Sequence, residues 1–295
     1  MVPAIAPPPL PANALPEPEP PLGDAEIAAQ ARALQLAPAG GAGPIRLMAT
    51  LLRPEVGIPE ISRLVAAEPA LALRTLKVAN SAFYQRCGEV GTVERAVQVL
   101  GGATVKGIAA AACLDRGLAA QPGMAAVEQA RLRQHSLAVA CAGQTIARAL
   151  RPGLEAEAFM AGVLHDMGLL VMWALRPRTM AWRSARGEPL DAQADTHARC
   201  GQQLMQVWQL PVWLQQAVLL HHRGPLPEGA AGELCAITRL AESMAEQLGH
   251  GLAVEASPPD LAEALACLGT DEAALLPVLA PLAGQIEQFS AALNA

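Results

Sequence analysis

The sequence predicts an all-α fold. Apolar residues recur at spacings of three and four, Ala is abundant, and strand-like alternation is absent. Hydrophobic residues make up 52% of the 295 positions and charged residues 16%, so most of the chain can bury enough apolar surface to fold. Aromatics are only 3% and the net charge is −6, which disfavours a nucleic-acid binder: such proteins need stacking platforms and cations for phosphate. The six cysteines are scattered without a CxxC and read as buried small hydrophobes in a reducing cytoplasm.

The elements follow in order. Residues 1–24 carry nine prolines and read as a flexible polyproline-like tail, without a basic or apolar leader. Ile61, Leu64 and Val65 share one helix stripe. Pro69 sits well at the first position of the next helix, which Asn80-Ser81 closes by bonding to its own backbone. Thr92 is an N-cap for a helix over Val93–Leu100, Gly101-Gly102 stop it, and a second helix follows over Val105–Leu114. Gln121-Pro122-Gly123 marks a subdomain boundary, giving units over 25–122 and 123–250, with C-terminal helices over 251–295 packing on them. The second unit is expected to hold helices over Ala125–Leu150, Ala156–Leu175, Asp191–Gln209, Val212–His222 and Glu233–Leu248. Pro277 and Pro281 are expected to break the last segment.

Ala158–Leu175 is long enough for a marginal membrane span. His165 and Asp166 at its middle would be costly in lipid, so a helix buried in a protein bundle is expected and no membrane partner. Trp208 and Trp213 read as packing groups, and Arg176, Arg178, Arg183 and Arg186 as a solvated basic face.

The histidines carry the chemistry. Cys200, Gly201, Leu204 and Trp208 lie three, four, seven and eleven residues after His197, so His197 faces inward. Leu214, Ala217 and Val218 continue into His221 and His222 on one stripe, and His135 leads Ala138, Val139, Ala142 and Ile146 in the same way. Four helices thus aim imidazoles at an interior, and Asp166 adds a carboxylate. A buried carboxylate is costly unless paired or metal-bound. Imidazole with carboxylate suits one divalent transition metal (Fe, Mn, Zn or Ni) better than Mg.

At these residues the chain resembles the HDOD domain proteins of bacteria, within the HD superfamily. The resemblance rests on six blocks in the family's order: Glu68-Pro69-Ala70-Leu71, Lys77–Tyr84, Thr92–Gly101, Val163-Leu164-His165-Asp166-Met167-Gly168, His197–Gly201 and Trp208–Pro211. It covers about residues 38–245. It implies an N-terminal helical subdomain packed on an HD-like bundle. It also implies a regulatory role beside two-component, chemotaxis or cyclic-di-GMP signalling proteins. The catalytic relatives are metal-dependent phosphohydrolases, which keeps a phosphodiesterase reading open. The implied metal set is His135, His165, Asp166, His197, His221, His222 and Glu242. Three departures weigh against turnover. Glu242 stands where Asp is expected, Arg131 stands where dinuclear relatives place Glu and is expected to repel or displace a metal, and Arg223-Gly224-Pro225 replaces the Gly-Tyr-Pro block.

Overall fold

The computed structural model describes residues 20–36, 47–48, 50–51, 53, 56–80, 90–119, 121, 123–191, 196–252 and 261–294. The proline-rich segment 1–19, Ser81 and Cys87 lie outside the described residues. Every regular element among the described residues is helical.

The chain opens with α1 (Asp24–Leu36), α2 (Ile58–Ala66) and α3 (Pro69–Ala79). Pro59 and Pro69 each occupy a first turn, where a missing N–H costs no intrahelical bond. The Asn80 amide closes α3 by donating to Leu76 O at 3.0 Å and Val90 O at 2.8 Å, while its Oδ1 accepts from Val90 N at 2.8 Å. Next comes α4 (Val93–Ala119), capped by Thr92 Oγ1, which accepts from Arg95 N at 3.2 Å. Gly101 breaks its regularity at φ 76° and ψ 155°, a conformation open to a residue without Cβ, so the expected stop at Gly101-Gly102 is a kink between two helical halves.

The second part holds α5 (Ala126–Leu150), α6 (Glu155–Leu164), α7 (Gly168–Leu175), α8 (Pro177–Arg186), α9 (Thr196–Val207), α10 (Val212–Leu220) and α11 (Ala230–Ala245). A π-helical turn, Glu246–His250, extends α11, and α12 (Leu261–Leu268), α13 (Glu272–Leu279) and α14 (Leu282–Asn294) follow. The centre of the molecule is α6, which packs on α5, α4, α11 and α10. On the other side of α4 lie α2 and α3; α14 lies against α3 and α5.

Three helix expectations need correction. The single helix expected over Ala156–Leu175 is two helices, α6 and α7, parted at His165-Asp166-Met167. There the backbone bonds shorten to three-residue closures, Met167 N to Leu164 O at 3.1 Å and Leu169 N to Asp166 O at 2.9 Å. The helix expected from Asp191 starts at Thr196 in the described residues, and Asp191 stands outside it as a side-chain acceptor. Pro277 lies inside α13 rather than ending it; the break falls at Ala280-Pro281.

Close approach of backbones fixes where α6 and α7 sit. A Cβ on Gly162 would lie 2.5 Å from Ala140 Cα on α5. A Cβ on Gly168 would lie 1.8 Å from His197 O on α9. The two glycines bracket the His165-Asp166 dyad and press it against the helices that carry His135 and His197. The apolar stretch Glu155–Leu175 has a mean hydropathy of 1.6 and is 89% buried inside the bundle, which accounts for its composition without a membrane. Cys113, Cys141, Cys200 and Cys235 are buried thiols, and desolvation pushes each up to about 12.

Candidate metal centre

All seven residues singled out from the sequence meet in one interior site, each between 0 and 4% exposed. His135 comes from α5, and His165-Asp166 from the break after α6. His197 comes from α9, His221-His222 from the end of α10, and Glu242 from α11.

One local device appears twice. His165 and His221 each sit at the C-cap of their helix. Each turns Nδ1 back onto the carbonyl three residues earlier, His165 to Gly162 O at 2.7 Å and His221 to Val218 O at 2.6 Å. Those carbonyls belong to the helix ends that lack backbone partners, so a capping imidazole satisfies them. The cap commits Nδ1 as a donor, so Nε2 faces the centre. The sequence shows the repetition, Leu164-His165-Asp166-Met167-Gly168 beside Leu220-His221-His222-Arg223-Gly224.

The other two histidines are oriented by partners distant in sequence. His135 Nδ1 donates to the carbonyl of His250, in the π turn, at 2.7 Å. His197 Nδ1 donates to Asp191 Oδ2 at 2.9 Å, and the same oxygen accepts the His197 backbone N–H at 2.8 Å. A metal-binding His usually carries such an outer acceptor.

The inward donors fall into two sets that share Asp166. In the first, Glu242 Oε2 lies 3.2 Å from His135 Nε2 and 3.0 Å from His165 Nε2, which are 3.1 Å apart. Asp166 Oδ2 completes it at 3.5 and 3.4 Å. In the second, His197 Nε2 and His221 Nε2 are 3.0 Å apart, and Asp166 Oδ1 is 3.6 Å from each. His222 joins them, its ring 4.1 Å from His221 and 5.1 Å from His197, centre to centre.

These residues fit a divalent cation on two observations. The buried Asp166 and Glu242 oxygens face imidazole Nε2 atoms, and both His222 ring nitrogens are buried without a hydrogen-bond partner. A tetrahedral site with metal–nitrogen bonds of about 2.1 Å has ligands about 3.4 Å apart, close to the separations above. The sequence led to one metal; the structure gathers the donors into two adjoining groups, Asp166 with His197, His221 and His222, and His135 with His165 and Glu242, and Asp166 Oδ2 also faces His135 and His165.

Charge separates the sets. Burial alone would lower His135 and His165, but the Glu242 and Asp166 carboxylates override it and hold both above the usual histidine range, His165 well above. Burial would likewise raise the two carboxylates, and the facing imidazoles hold both well below the usual range. At His221 and His222 the carboxylates do not outweigh burial and the neighbouring imidazoles. Burial lowers both, His222 to about 2, aided there by His221.

Arg131 departs from expectation. It is exposed and lines a cavity of about 440 Å³ beside His135, and it neither fills nor blocks the centre. Sequence reasoning also missed Asp191, His250 and Arg239. Arg239 is fully buried, donating to Leu220 O at 2.7 Å, to Gly224 O, and to Glu263 Oε2 at 3.1 Å, and so anchors the turn that carries His221-His222. Trp208 is buried as a packing group, as its spacing implied.

Helices gathered around a buried His-Asp dyad define an HD-type bundle. The family model for the HDOD domain matches residues 44–224, and the chain belongs to the HDOD domain family. Solved structures agree in fold. An HDOD domain protein with unknown function from Geobacter sulfurreducens superposes with a TM-score of 0.70 at 19% identity, covering 91% of this chain and 97% of that one. A protein of Marinobacter aquaeolei VT8, provisionally named a signal transduction protein, gives 0.67 at 20% identity; the match covers 92% of this chain and 64% of that one. A protein of Shewanella amazonensis SB2B, provisionally named a phosphohydrolase, gives 0.67 at 23% identity over 91% and 98%. No curated protein matches.

Proposed function

We propose that this chain is a non-catalytic signal-transduction module of the HDOD type, with a buried centre that holds divalent transition metal in its two adjoining positions. The observation that carries this reading is the closure of the site: all seven donors are at most 4% exposed. Structural metal sites are closed, whereas hydrolytic sites keep a position open to water and substrate. When bound, such an ion would act as a Lewis acid and a cross-link between helices. His135, His165 and Glu242 would hold one position and His197, His221 and His222 the other, with Asp166 serving both. The outer acceptors Asp191 and His250 keep the rings in the ligating tautomer.

The family membership and the provisional signalling name of the Marinobacter relative support a role among signalling proteins, and the buried thiols of Cys141, Cys200 and Cys235 support a cytoplasmic setting. Two-component, chemotaxis and cyclic-di-GMP pathway proteins are the proposed partners, and nucleic acid is not. A second reading, a metal-dependent phosphohydrolase, is favoured by the cavity that reaches His135. The test is protein loaded with Mn²⁺, Fe²⁺, Zn²⁺ or Ni²⁺ and assayed against cyclic di-GMP and common nucleotides, beside Asp166→Ala. The module reading expects bound metal without turnover. Turnover abolished by Asp166→Ala would establish the enzyme instead.

A further inference from the structure

The cavity beside the centre has its own chemistry. Its volume of about 440 Å³ lies within the range of small-molecule sites, about 300–1,000 Å³. Three polar groups on its walls lack protein partners. Trp173 is 1% exposed and its Nε1–H has no hydrogen-bond acceptor. Glu128 Oε2 is buried without a donor, although Ser184 satisfies Oε1 at 3.2 Å. Arg131, one turn along α5 from Glu128, forms no ion pair with a described residue. Leucine and methionine side chains make up the apolar wall between them.

An unpaired carboxylate oxygen asks for a cationic N–H donor. A guanidinium and an indole N–H ask for an anion. The apolar wall asks for an apolar body. One small molecule meets all three demands if it is a zwitterion, with ammonium at one end, carboxylate at the other and hydrocarbon between.

The same cavity touches the centre mechanically. His135 lines it, as do Gly249, His250, Gly251 and Leu252, which end the π turn and follow it. The His250 carbonyl holds the His135 ring, and the turn continues directly from α11, which carries Glu242. A ligand seated on this segment therefore bears on two groups of the first metal position, through one hydrogen bond and one helix end. π-Helical turns recur at functional sites.

We infer that the cavity is an effector site for apolar amino acids and short apolar peptides, and that its occupancy is coupled to metal occupancy through His250 and His135. The coupling rests on the metal reading above; the ligand site does not. Coupling of this kind is reciprocal: the factor by which metal changes ligand affinity is the factor by which ligand changes metal affinity.

The experiment is calorimetric titration of the full chain with L-leucyl-L-leucine, with and without Zn²⁺. N-acetyl-L-leucyl-L-leucine, which lacks the ammonium, and L-leucyl-L-leucinamide, which lacks the carboxylate, serve as comparisons. The dipeptide is expected to bind, and each blocked form to bind at least about tenfold more weakly, the value of one charge-assisted contact. Glu128→Gln should weaken the dipeptide while leaving the N-acetyl form unchanged. Arg131→Gln should weaken the dipeptide while leaving the amide unchanged. Both residues lie toward the surface, and unchanged melting of these variants confirms that they fold. Zn²⁺ should shift dipeptide affinity by about fivefold or more, and the dipeptide should shift Zn²⁺ affinity equally. Failure of the dipeptide to bind at millimolar concentration, or equal binding of all three compounds, overturns the ligand assignment. Equal dipeptide affinity with and without bound Zn²⁺ overturns the coupling. Failure of the wild-type chain to bind Zn²⁺ overturns the metal reading and the coupling with it, while titration of the metal-free chain still decides the ligand site.

Discussion

Asp166 Oδ2 faces His135 and His165, which share Glu242; Oδ1 faces His197 and His221, which His222 joins. Both halves are buried to the same degree, and each contains a C-capping histidine with its Nδ1 tied to a carbonyl three residues back. Yet His165 is held well above the usual histidine range and His221 is lowered. Burial acts on both, so the difference comes from the neighbours. The first half has a second carboxylate in Glu242, whereas the second half has additional imidazoles in its place. The lesson is that a histidine's geometry fixes which nitrogen faces the site, and the charges around it fix whether that nitrogen carries a proton. Without metal the first half favours imidazolium beside carboxylate, whereas in the second half burial and the neighbouring imidazoles hold His221 and His222 toward the neutral form.

The largest expected effect comes from removing the group the halves share. Asp166→Ala should abolish metal binding in both and leave Glu242 as the one carboxylate facing the buried His165, at a cost of about 3 kcal/mol. Metal analysis and urea unfolding check this; retention of either ion would show that Asp166 does not bridge. Gly168→Ala places a Cβ where His197 O now lies 1.8 Å away and forces α7 from α9. A loss of about 3 kcal/mol is expected, the upper end for overpacking, with metal lost from the second half before the first. Cobalt absorption bands for the two halves would resolve that order.

Glu242→Ala and Asp191→Asn divide the centre. The first should reduce bound metal from two ions to one. The second removes only the carboxylate that orients His197, and should weaken the second position by about 10–100-fold while leaving the first intact. Equilibrium dialysis of both variants sharpens the comparison, and loss from the same position in both would break it.

The smallest effect is one of pH. In the metal-free protein the raised His135 and His165 stabilise fully below the ordinary value of 6.5, and that stability is lost as pH rises through their folded values. The lowered His221 and His222 act oppositely: their contribution is present above 6.5 and falls away as pH drops below it. Asp166 and Glu242 contribute above their ordinary values of 3.8 and 4.5 and lose that contribution as pH falls. A metal entering the first half must displace protons from His135 and His165, so its affinity should climb with pH above 6.5. One entering the second half finds His221 and His222 already neutral. Titration at pH 7 in buffers of different ionisation enthalpy should therefore show fewer protons released from Glu242→Ala than from wild type. Equal release would remove the distinction between the halves.

Much of this was legible in advance. Cys200, Gly201 and Leu204 fix the inward phase of His197, and Leu214, Ala217 and Val218 fix that of His221-His222, because helical spacing sets where a side chain points from its own axis. The His165-Asp166 dyad stood out as two ionisable residues in an apolar run. The break at that dyad did not, because the run keeps its apolar pattern through the turn and an imidazole, not a Gly or Pro, ends α6. Asp191 was legible only as the first residue of an expected helix; its actual work, accepting two N–H groups of His197, is a contact that periodicity does not describe.

The sequence by itself determined the helical class, the family blocks, and which side chains turn inward, since all three follow from residue type and spacing along one chain. Tertiary structure decided how the seven donors divide into two positions and which nitrogen each ring presents. It also decided that Arg131 stays clear of them, and that a cavity abuts His135. Those properties depend on separations between helices, set by contacts such as Gly162 on Ala140 and Gly168 on His197, and on carbonyl acceptors such as that of His250. Every residue has a carbonyl, so no pattern of side chains marks the one that a distant imidazole will find.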